Sequence, residues 1–349
     1  MKVNSSAESA LQAKPAIRLK QLVANWACSL VIFTLFFASA SGVAQLTYGD
    51  WRYSVNGNNA IITRYTGTAS DLSIPSTING LPVQFIDIAA FSGNTSLTNV
   101  LIPISVSGVL NGAAAVPFAS CINLLSITVD PQNSVFSSVD GVLFNKKQTS
   151  LIEYPLGRLG AYSVPAGVVL IASYAFYECT NLTSVTIPNT VTNIRPYSFH
   201  SCSSLRFVTI PASVQAVGDY AFNGCDYLTN IIFTGNAPLS GVFVFSPEWV
   251  MLPKTVYYVP GSAGWGSTYA GYPTAPLTLS ASVPTVRDGQ FSFSVAGPSG
   301  ISAVIESCTS LDRATWSPIQ IGTLSGGSLQ VTDTDWANHP MRFYRVRLE

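Results

Sequence analysis

The sequence predicts a mainly β protein: a solenoid of about 23-residue coils with terminal caps, followed by a small antiparallel β-sandwich. Residues 159–181, 182–204 and 205–227 align with one another without gaps. Each unit opens with alternating apolar residues and a proline, which is typical of a short strand that ends where proline cannot donate to a ladder. After residue 275 this repeat gives way to short alternating segments separated by Gly, Ser and Asp turns, which predict antiparallel strands.

The aligned units share six residue types at fixed positions, and the leucine, proline, phenylalanine and cysteine columns are the predicted structural positions. A residue that recurs once per coil lies in a column along the stack, so these positions are predicted to build the scaffold. Looser copies extend the predicted solenoid over residues 69–233. The columns are Leu159, Leu182 and Leu205; Pro165, Pro188 and Pro211; Phe176, Phe199 and Phe222; and Cys179, Cys202 and Cys225.

The units resemble the BspA-like leucine-rich repeat family of bacterial and protist surface proteins. The resemblance is carried by IPNTVTNIRPYSFHSC, by SIPSTINGLPVQFIDIAAF and by NSVFSSVDGVLFNKKQTSLIEYP, and it covers about residues 48–275. It implies a leucine-rich-repeat solenoid at the cell exterior. Two departures are local: residues 104–117 are stretched, and Gly93 and Asn94 stand where a cysteine corner is usual.

The ends of a solenoid expose apolar core and unpaired strand edges, so caps are expected. Residues 45–68 predict a capping hairpin around the turn NGNN, and residues 234–275 predict a C-terminal cap. Aromatic residues of the second cap are expected to cover the last coil, although such rings could instead stack on sugars. These residues are Trp249, Tyr257, Trp265 and Tyr269.

Residues 276–349 predict a β-sandwich of the fibronectin or immunoglobulin kind. The segments VIESCTSLDRATWSPIQ and DTDWANHPMRFYRVRLE resemble β-domains at the C-termini of exported bacterial proteins. Such a domain can act as a spacer, an adhesin or an envelope attachment, and its fold alone does not establish which.

Residues 1–44 predict an N-terminal region with a signal peptide. Arg18 and Lys20 precede the apolar run LVANWACSLVIFTLFFASA, and small residues follow it up to a cleavage site placed after Ala44. The alternative is a retained anchor, because about 17 apolar residues just suffice to span a bilayer. We expect a secreted or cell-surface protein with no membrane span after cleavage.

Composition and residue types argue against several function classes. The chain is 10% charged with a net charge of zero, so nucleic acid is not an expected partner. His200 and His339, the two histidines, are interpreted as solvated turn or loop residues, and a nucleophile–histidine–acid triad needs one of them. The sparse carboxylates, Glu153 among them, are not patterned as a pair across a cleft. No enzyme activity, metal or cofactor is predicted.

The aligned cysteines have three interpretations. Small buried side chains that fill a tight corner are one. A disulfide between neighbours is a second, although parallel Cβ vectors fit its geometry poorly. A metal site is the third, although the pattern contains no Cys-x-x-Cys. Cys121 is assigned to the same column.

The outward side chains of the first strand in each coil form the candidate partner-binding face. They are mostly small, polar and uncharged, with Phe207 and Ile232 as an apolar end. This face is either a binding strip or a surface of ladder-compatible Ser and Thr. The nine candidates are Asn99, Ser126, Thr128, Ser184, Thr186, Phe207, Thr209, Asn230 and Ile232.

These observations predict a non-catalytic, exported recognition or adhesion protein that binds a protein or a surface glycan through the solenoid. One alternative is a purely structural component of the cell envelope or matrix. A further alternative is a carbohydrate-binding accessory or a hydrolase.

Overall fold

The computed structural model describes residues 45–109, 116–249, 251–311 and 315–348; the predicted signal peptide lies outside them. Within these residues the regular structure consists of short strands and one 3-10 turn at Trp336–Asn338. No helix in the described part of the chain is long and apolar enough to cross a membrane.

The strands are numbered in chain order. Up to residue 153 they are β1 (Leu46–Tyr48), β2 (Trp51–Asn56), β3 (Asn59–Tyr65), β4 (Asp71–Ser73), β5 (Thr77–Ile78), β6 (Leu81–Ile86), β7 (Asn99–Ile102), β8 (Gly108–Val109), β9 (Ser126–Val129), β10 (Phe136–Val139), β11 (Val142–Asn145) and β12 (Ser150–Glu153). Up to residue 276 they are β13 (Gly160–Ser163), β14 (Leu170–Ile171), β15 (Leu182–Thr186), β16 (Asn193–Ile194), β17 (Phe207–Ile210), β18 (Ala216–Val217), β19 (Asn230–Phe233), β20 (Leu239–Ser240), β21 (Thr255–Tyr258), β22 (Thr268–Tyr269) and β23 (Tyr272–Pro276). The last are β24 (Ser280–Ala281), β25 (Thr285–Arg287), β26 (Gln290–Ala296), β27 (Ser302–Cys308), β28 (Ser317–Thr323), β29 (Ser328–Asp333) and β30 (Phe343–Leu348).

The solenoid has two strand layers, and each coil contributes to both. The front layer contains the parallel ladders β4-β7-β9, β13-β15 and β17-β19-β21-β23. The back layer contains the parallel ladders β3-β6-β8 and β12-β14-β16-β18-β20. The predicted solenoid of stacked coils is therefore confirmed.

The pairing register reproduces the sequence period. Ala161 pairs with Ser184 in the front layer, and Asn193 pairs with Ala216 in the back layer, a separation of 23 residues in each case. Coils stack in this register because it aligns the apolar columns, and a shift by one residue would turn the buried side chains outward.

The core consists of stacked columns of identical side chains. The rings of Phe176 and Phe199 stack at 4.6 Å between centroids, and those of Phe199 and Phe222 stack at 4.8 Å. Leu182 and Leu205 are fully buried. These side chains fill the interior between the two layers, as the column prediction requires.

Leu159 does not follow its column. Its side chain is 77% exposed, because the register shifts between Gly160 and Ala161, which places Gly160 opposite Leu182. Gly160 has a φ of 86°, a conformation that glycine adopts without strain. Leu156 is buried in the same core. The prediction of Leu159 as a buried repeat leucine is wrong.

The longer unit between β9 and β13 carries a hairpin, β10–β11. Its base is held by Asn133, which is fully buried. The Asn133 amide donates to the carbonyls of Pro103 and Val106 at 2.9 and 2.8 Å and accepts from the Phe136 amide at 2.8 Å. One side chain therefore ties the inserted hairpin to the preceding coil.

The aromatic residues of the C-terminal cap divide into two groups. Trp265 stacks on Tyr258 at 5.2 Å, and Tyr269, which is buried, lies 5.1 Å from the ring of Phe233. These rings cover the end of the core. Trp249 is 77% exposed and does not cover it.

The described residues between 276 and 348 form two antiparallel sheets around a common core. One sheet contains β24, β25, β26 and β29, and the other has the order β28-β27-β30. Phe293, Val295 and Ile305 share their core. Assignment to a fibronectin or immunoglobulin type, and the domain boundaries given above, stay predictions.

Candidate recognition surface

The front face is the outward side of the front layer, and strand alternation creates it. In β7 the buried Val100 and Ile102 alternate with the exposed Asn99 and Leu101. In the structure Asn99, Thr128 and Thr186 are exposed, and Ser126, Ser184, Phe207, Thr209 and Asn230 are half-buried. Ile232 is only 1% exposed, so the interpretation of Ile232 as an accessible outward position is wrong.

The C-terminal domain covers the apolar end of the front face. Ile232 belongs to the same core as Phe293 and Val295. The Asn230 side chain donates to the Ser299 carbonyl at 3.1 Å. The expected end of the binding strip is instead an intramolecular interface.

Gly300 makes the closest approach in this interface. A Cβ atom at Gly300 would lie 2.0 Å from Cγ of Phe207, so a side chain at this position would overlap the ring. Its φ of 91° also lies in the left-handed region that favours glycine. The Phe207 ring therefore packs directly against the backbone of Gly300.

The open part of the front face lies on β4, β7, β9, β13 and β15. Asp71 is the one charged outward residue on these five strands, and the Asn99 amide donates to it. The Thr128 hydroxyl donates to the Val100 carbonyl of the previous coil at 3.1 Å. The surface is therefore polar and nearly uncharged, and some of its polar side chains already make hydrogen bonds to the neighbouring strand of the same ladder.

The hairpin turn at Asp140 and Gly141 interrupts this open part. The Ile127 amide donates to the Gly141 carbonyl at 2.8 Å, and a Cβ at Gly141 would lie 2.6 Å from the Ser126 hydroxyl. The turn therefore lies beside β9 and separates its patch from that of β13 and β15. The sequence does not predict this position of the turn, because the turn reaches β9 through a tertiary contact and not through the repeat pattern.

The cysteine column consists of free, buried thiols. The Cys202 thiol donates to the Phe176 carbonyl, and the Cys225 thiol to the Phe199 carbonyl, each at 3.1 Å. Burial raises the pKa of Cys121 to about 12 and holds the pKa of Cys202 well above its usual range. Each thiol is buried at a corner of its coil and donates a hydrogen bond to a backbone carbonyl of the preceding coil.

His200 is buried, so the interpretation of it as a solvated turn residue is wrong. Its ring stacks on Tyr177 at 5.2 Å, its Nδ1 lies 2.9 Å from the Ser201 hydroxyl, and its Nε2 lies 3.3 Å from Glu248. Burial lowers the pKa of His200 to about 4, so the ring is neutral at pH 7.

This serine–histidine–glutamate group has the residue types of a hydrolase triad, but the backbone amides of Ser201 and Cys202 are already hydrogen-bonded within the coils. The amide of Ser201 bonds to the Asn223 carbonyl, and that of Cys202 bonds to the Phe199 carbonyl. These amides are therefore not available to stabilise an oxyanion. The Ser201 hydroxyl also donates to Glu248 at 3.2 Å, so the group ties neighbouring coils together.

A second ring ladder runs along the corner of the coils. Tyr174, Tyr197 and Tyr220 stack with centroids 5.0 and 4.9 Å apart, and Phe243 follows at 5.4 Å. Rings stacked on one another present their edges rather than their faces, which is the wrong presentation for stacking on a sugar.

Comparison with known proteins places the repeats in a family. The model of the BspA type leucine-rich repeat region matches in six copies, over residues 65–157 and 158–248. No curated protein matches the chain.

Several solved structures are similar to the chain. A leucine-rich repeat protein from Eubacterium ventriosum is 25% identical with a TM-score of 0.41, over 48% of this chain and 44% of that one. The chain thus spans under half of that protein's length. The T. pallidum leucine-rich repeat protein is 24% identical with a TM-score of 0.34, over 58% and 91% of the two chains. One from Bacteroides ovatus is 18% identical with a TM-score of 0.32, over 62% and 71%.

The family match covers residues 65–248, more than half of the chain. The same residues contain the stacked coils with their 23-residue register and their phenylalanine and cysteine columns. The chain therefore belongs to the BspA-type leucine-rich repeat family.

Proposed function

We propose that the chain is an exported recognition protein that binds a protein or a surface glycan across the open part of the front face. The observation that carries this proposal is the polar strip formed by the two patches of the open part, with Asn99 and Thr128 in one patch and Ser184 and Thr186 in the other. Each of these strands is held in a parallel ladder with the strand of the preceding coil, so little conformational entropy is lost when a partner binds. Repeat solenoids present extended faces of this kind to partners.

The chemistry of the strip indicates a neutral partner. Hydroxyl and amide groups can donate and accept hydrogen bonds, and Asp71 supplies one negative charge at its end. Interactions between neutral groups are not screened by salt. Binding is therefore expected to persist with little change when the ionic strength is raised.

The proposed location at the cell exterior rests on the signal peptide predicted in residues 1–44 and on membership of the BspA-type family. The buried thiols are compatible with that location because their carbonyl partners and burial protect them from oxidants.

Arginine at the strip is the test of this proposal. We expect Thr128→Arg and Thr186→Arg each to lower affinity at least about tenfold, because a long cation covers the strip and displaces its hydrogen bonds. Wild type and variants are compared on arrays of surface proteins and surface glycans. Gln215→Arg, an exposed change beside the back layer, is the matched control. Equal binding by all variants, or a wild type silent on both arrays, would contradict the proposal.

A structural role in the envelope or matrix is the second candidate. The Thr128 hydroxyl bond to Val100 favours it, because a hydroxyl committed to its own ladder is less available to a partner. Silence on both arrays would favour this role over recognition.

A further inference from the structure

The ring ladder at the corner of the coils ends at Phe243. One face of the Phe243 ring stacks on Tyr220 of the coil before it, with centroids 5.4 Å apart. On the side away from Tyr220, a cleft of about 470 Å³ separates Phe243 from Ala270 and Gly271, which form the turn between β22 and β23. Neither of these residues carries a ring, so the outer face of Phe243 stacks on no other ring among the described residues. The side chain is 52% exposed.

The walls of the cleft combine an aromatic face with hydroxyl groups. Ser246 and Tyr272 each contribute a hydroxyl, which can both donate and accept a hydrogen bond. The two hydroxyls lie close enough to interact with each other. The lining among the described residues contains no charge; it consists of Gly241, Val242, Phe243, Ser246, Ala270, Gly271 and Tyr272.

The size and the chemistry of the cleft fit a small neutral ligand. Sites for small molecules measure roughly 300–1,000 Å³ and combine apolar walls with a few polar groups. A lining without charge gives an ionic ligand nothing to offset the cost of its desolvation. Val242 and Gly271 are exposed, so the cleft opens to solvent and a bound ligand keeps one side in water.

These features favour a ring that is apolar on its face and polar at its edge. A pyranose has C–H groups on its faces and hydroxyls around its edge, so it can stack on an aromatic ring, bond to nearby hydroxyls and remain hydrated on its open side. An aromatic side chain of a protein partner could also stack on Phe243. It would bring at most one polar group to the hydroxyls of Ser246 and Tyr272, so it would use less of their hydrogen-bonding capacity.

We propose that this cleft binds one pyranose residue of a neutral saccharide, stacked on Phe243 as the next ring of the ladder and hydrogen-bonded to Ser246 and Tyr272. The inner rings of the ladder present only their edges, so the end of the ladder is where a face is available. The site is separate from the front face, because Gly241 and the residues up to Ser246 directly follow the back-layer strand β20. The inference therefore does not rest on the proposed function.

Isothermal titration calorimetry tests the site with the purified full-length chain and neutral hexasaccharides of glucose, mannose, galactose and N-acetylglucosamine. At least one of them is expected to bind saturably, at one site per chain. Phe243→Ala removes the stacking face and should weaken binding at least about tenfold. Ser246→Ala removes a hydrogen bond and should weaken it about two- to tenfold. Phe243→Tyr should bind as the wild type does, because tyrosine occupies the preceding positions of the ladder, Tyr174, Tyr197 and Tyr220.

Two control variants show whether the effect belongs to the cleft. Tyr227 is an aromatic residue of similar exposure, 48%, outside the cleft lining, so Tyr227→Ala should bind as the wild type does. Thr186→Arg at the front face should also leave this binding unchanged, which separates the site from the proposed function. Circular dichroism verifies that the variants fold, and Ser246→Ala keeps the stacking ring in place if Phe243→Ala does not fold.

A neutral pentapeptide with a central phenylalanine, titrated in parallel, tests the alternative occupant. The proposal requires a saccharide to bind and the binding to depend on the cleft residues. Absence of saccharide binding, binding of the peptide alone, or equal saccharide affinity in the wild type and in folded Phe243→Ala or Ser246→Ala would overturn it.

Discussion

Replacement of Ile232 by Asp is expected to release the C-terminal domain from the front face and to lower the free energy of unfolding by about 4 kcal/mol or more. The Ile232 side chain is 1% exposed and shares the core of the C-terminal domain. The substitution removes a buried aliphatic side chain and places an unpaired carboxylate in its position. Guanidinium unfolding followed by fluorescence and circular dichroism measures the loss.

Thr186→Asp is the matched control for this variant, because Thr186 occupies the same outward column in an earlier coil and is exposed. Its effect should stay within about 0.5 kcal/mol, as is usual for surface substitutions. If the two variants were equally stable, the C-terminal domain would not be packed on the solenoid as described.

Replacement of Glu153 by Gln is expected to abolish a loss of stability between pH 6.5 and 8.5. Glu153 is 2% exposed, and neither carboxyl oxygen makes a hydrogen bond of normal geometry among the described residues. Burial raises the pKa of Glu153 to about 8, although interaction with the Phe118 backbone lowers it in part. The carboxyl group is therefore protonated in the folded protein at neutral pH.

The sign of this pH dependence follows from the difference in proton binding between the folded and the unfolded chain. At pH 6.5 the folded chain holds a proton on Glu153 that the unfolded chain has released, since the ordinary pKa is 4.5. Because unfolding releases this proton, the free energy of unfolding falls by roughly 2 kcal/mol between pH 6.5 and 8.5, and the fall levels off above pH 8, where the folded chain also loses the proton. Cys121 and Cys179 interact with Glu153, and their raised pKa values keep both thiols protonated here.

Urea unfolding at pH 6.5, 7.5 and 8.5 measures this slope in the wild type, in Glu153→Gln and in Glu178→Gln. Starting at pH 6.5 avoids most of the contribution of His200, whose pKa lies at about 4. Glu178, which is half-buried in the next coil, is the control, and its replacement should leave the slope in place. A slope that persists in Glu153→Gln would show that other groups cause it.

The sequence period predicted the scaffold well because identical residues must lie above one another in a stack. The register of Ala161 on Ser184, the ring column of Phe199 and the buried Cys202 all follow from the 23-residue spacing. Leu159 was the exception because a local register shift beside Gly160 leaves no trace in an alignment of residue types.

The front face was harder to predict because the exposure of its residues depends on the C-terminal domain, which is distant in sequence. Phe207 and Ile232 were conspicuous as apolar residues on a polar face, and the sequence allowed them to meet either a partner or the chain itself. Gly300, the residue that makes the close approach possible, is one glycine among 26 and carries no sequence signal. Glu153 was likewise recognisable only as one of several sparse carboxylates, since burial at the junction of two coils is a property of the fold.

Thiol labelling of two new cysteines most directly tests the central claim, that the C-terminal domain covers one end of the front face and leaves the other open. Thr186→Cys and Ile232→Cys occupy the same outward column, and labelled sites are identified by peptide mass spectrometry. The native Cys179, Cys202 and Cys225 are buried and should stay unlabelled in the folded protein. The account predicts rapid labelling at 186 and labelling at least about a hundredfold slower at 232, where reaction requires opening of the interface. Equal rates at the two positions would contradict it.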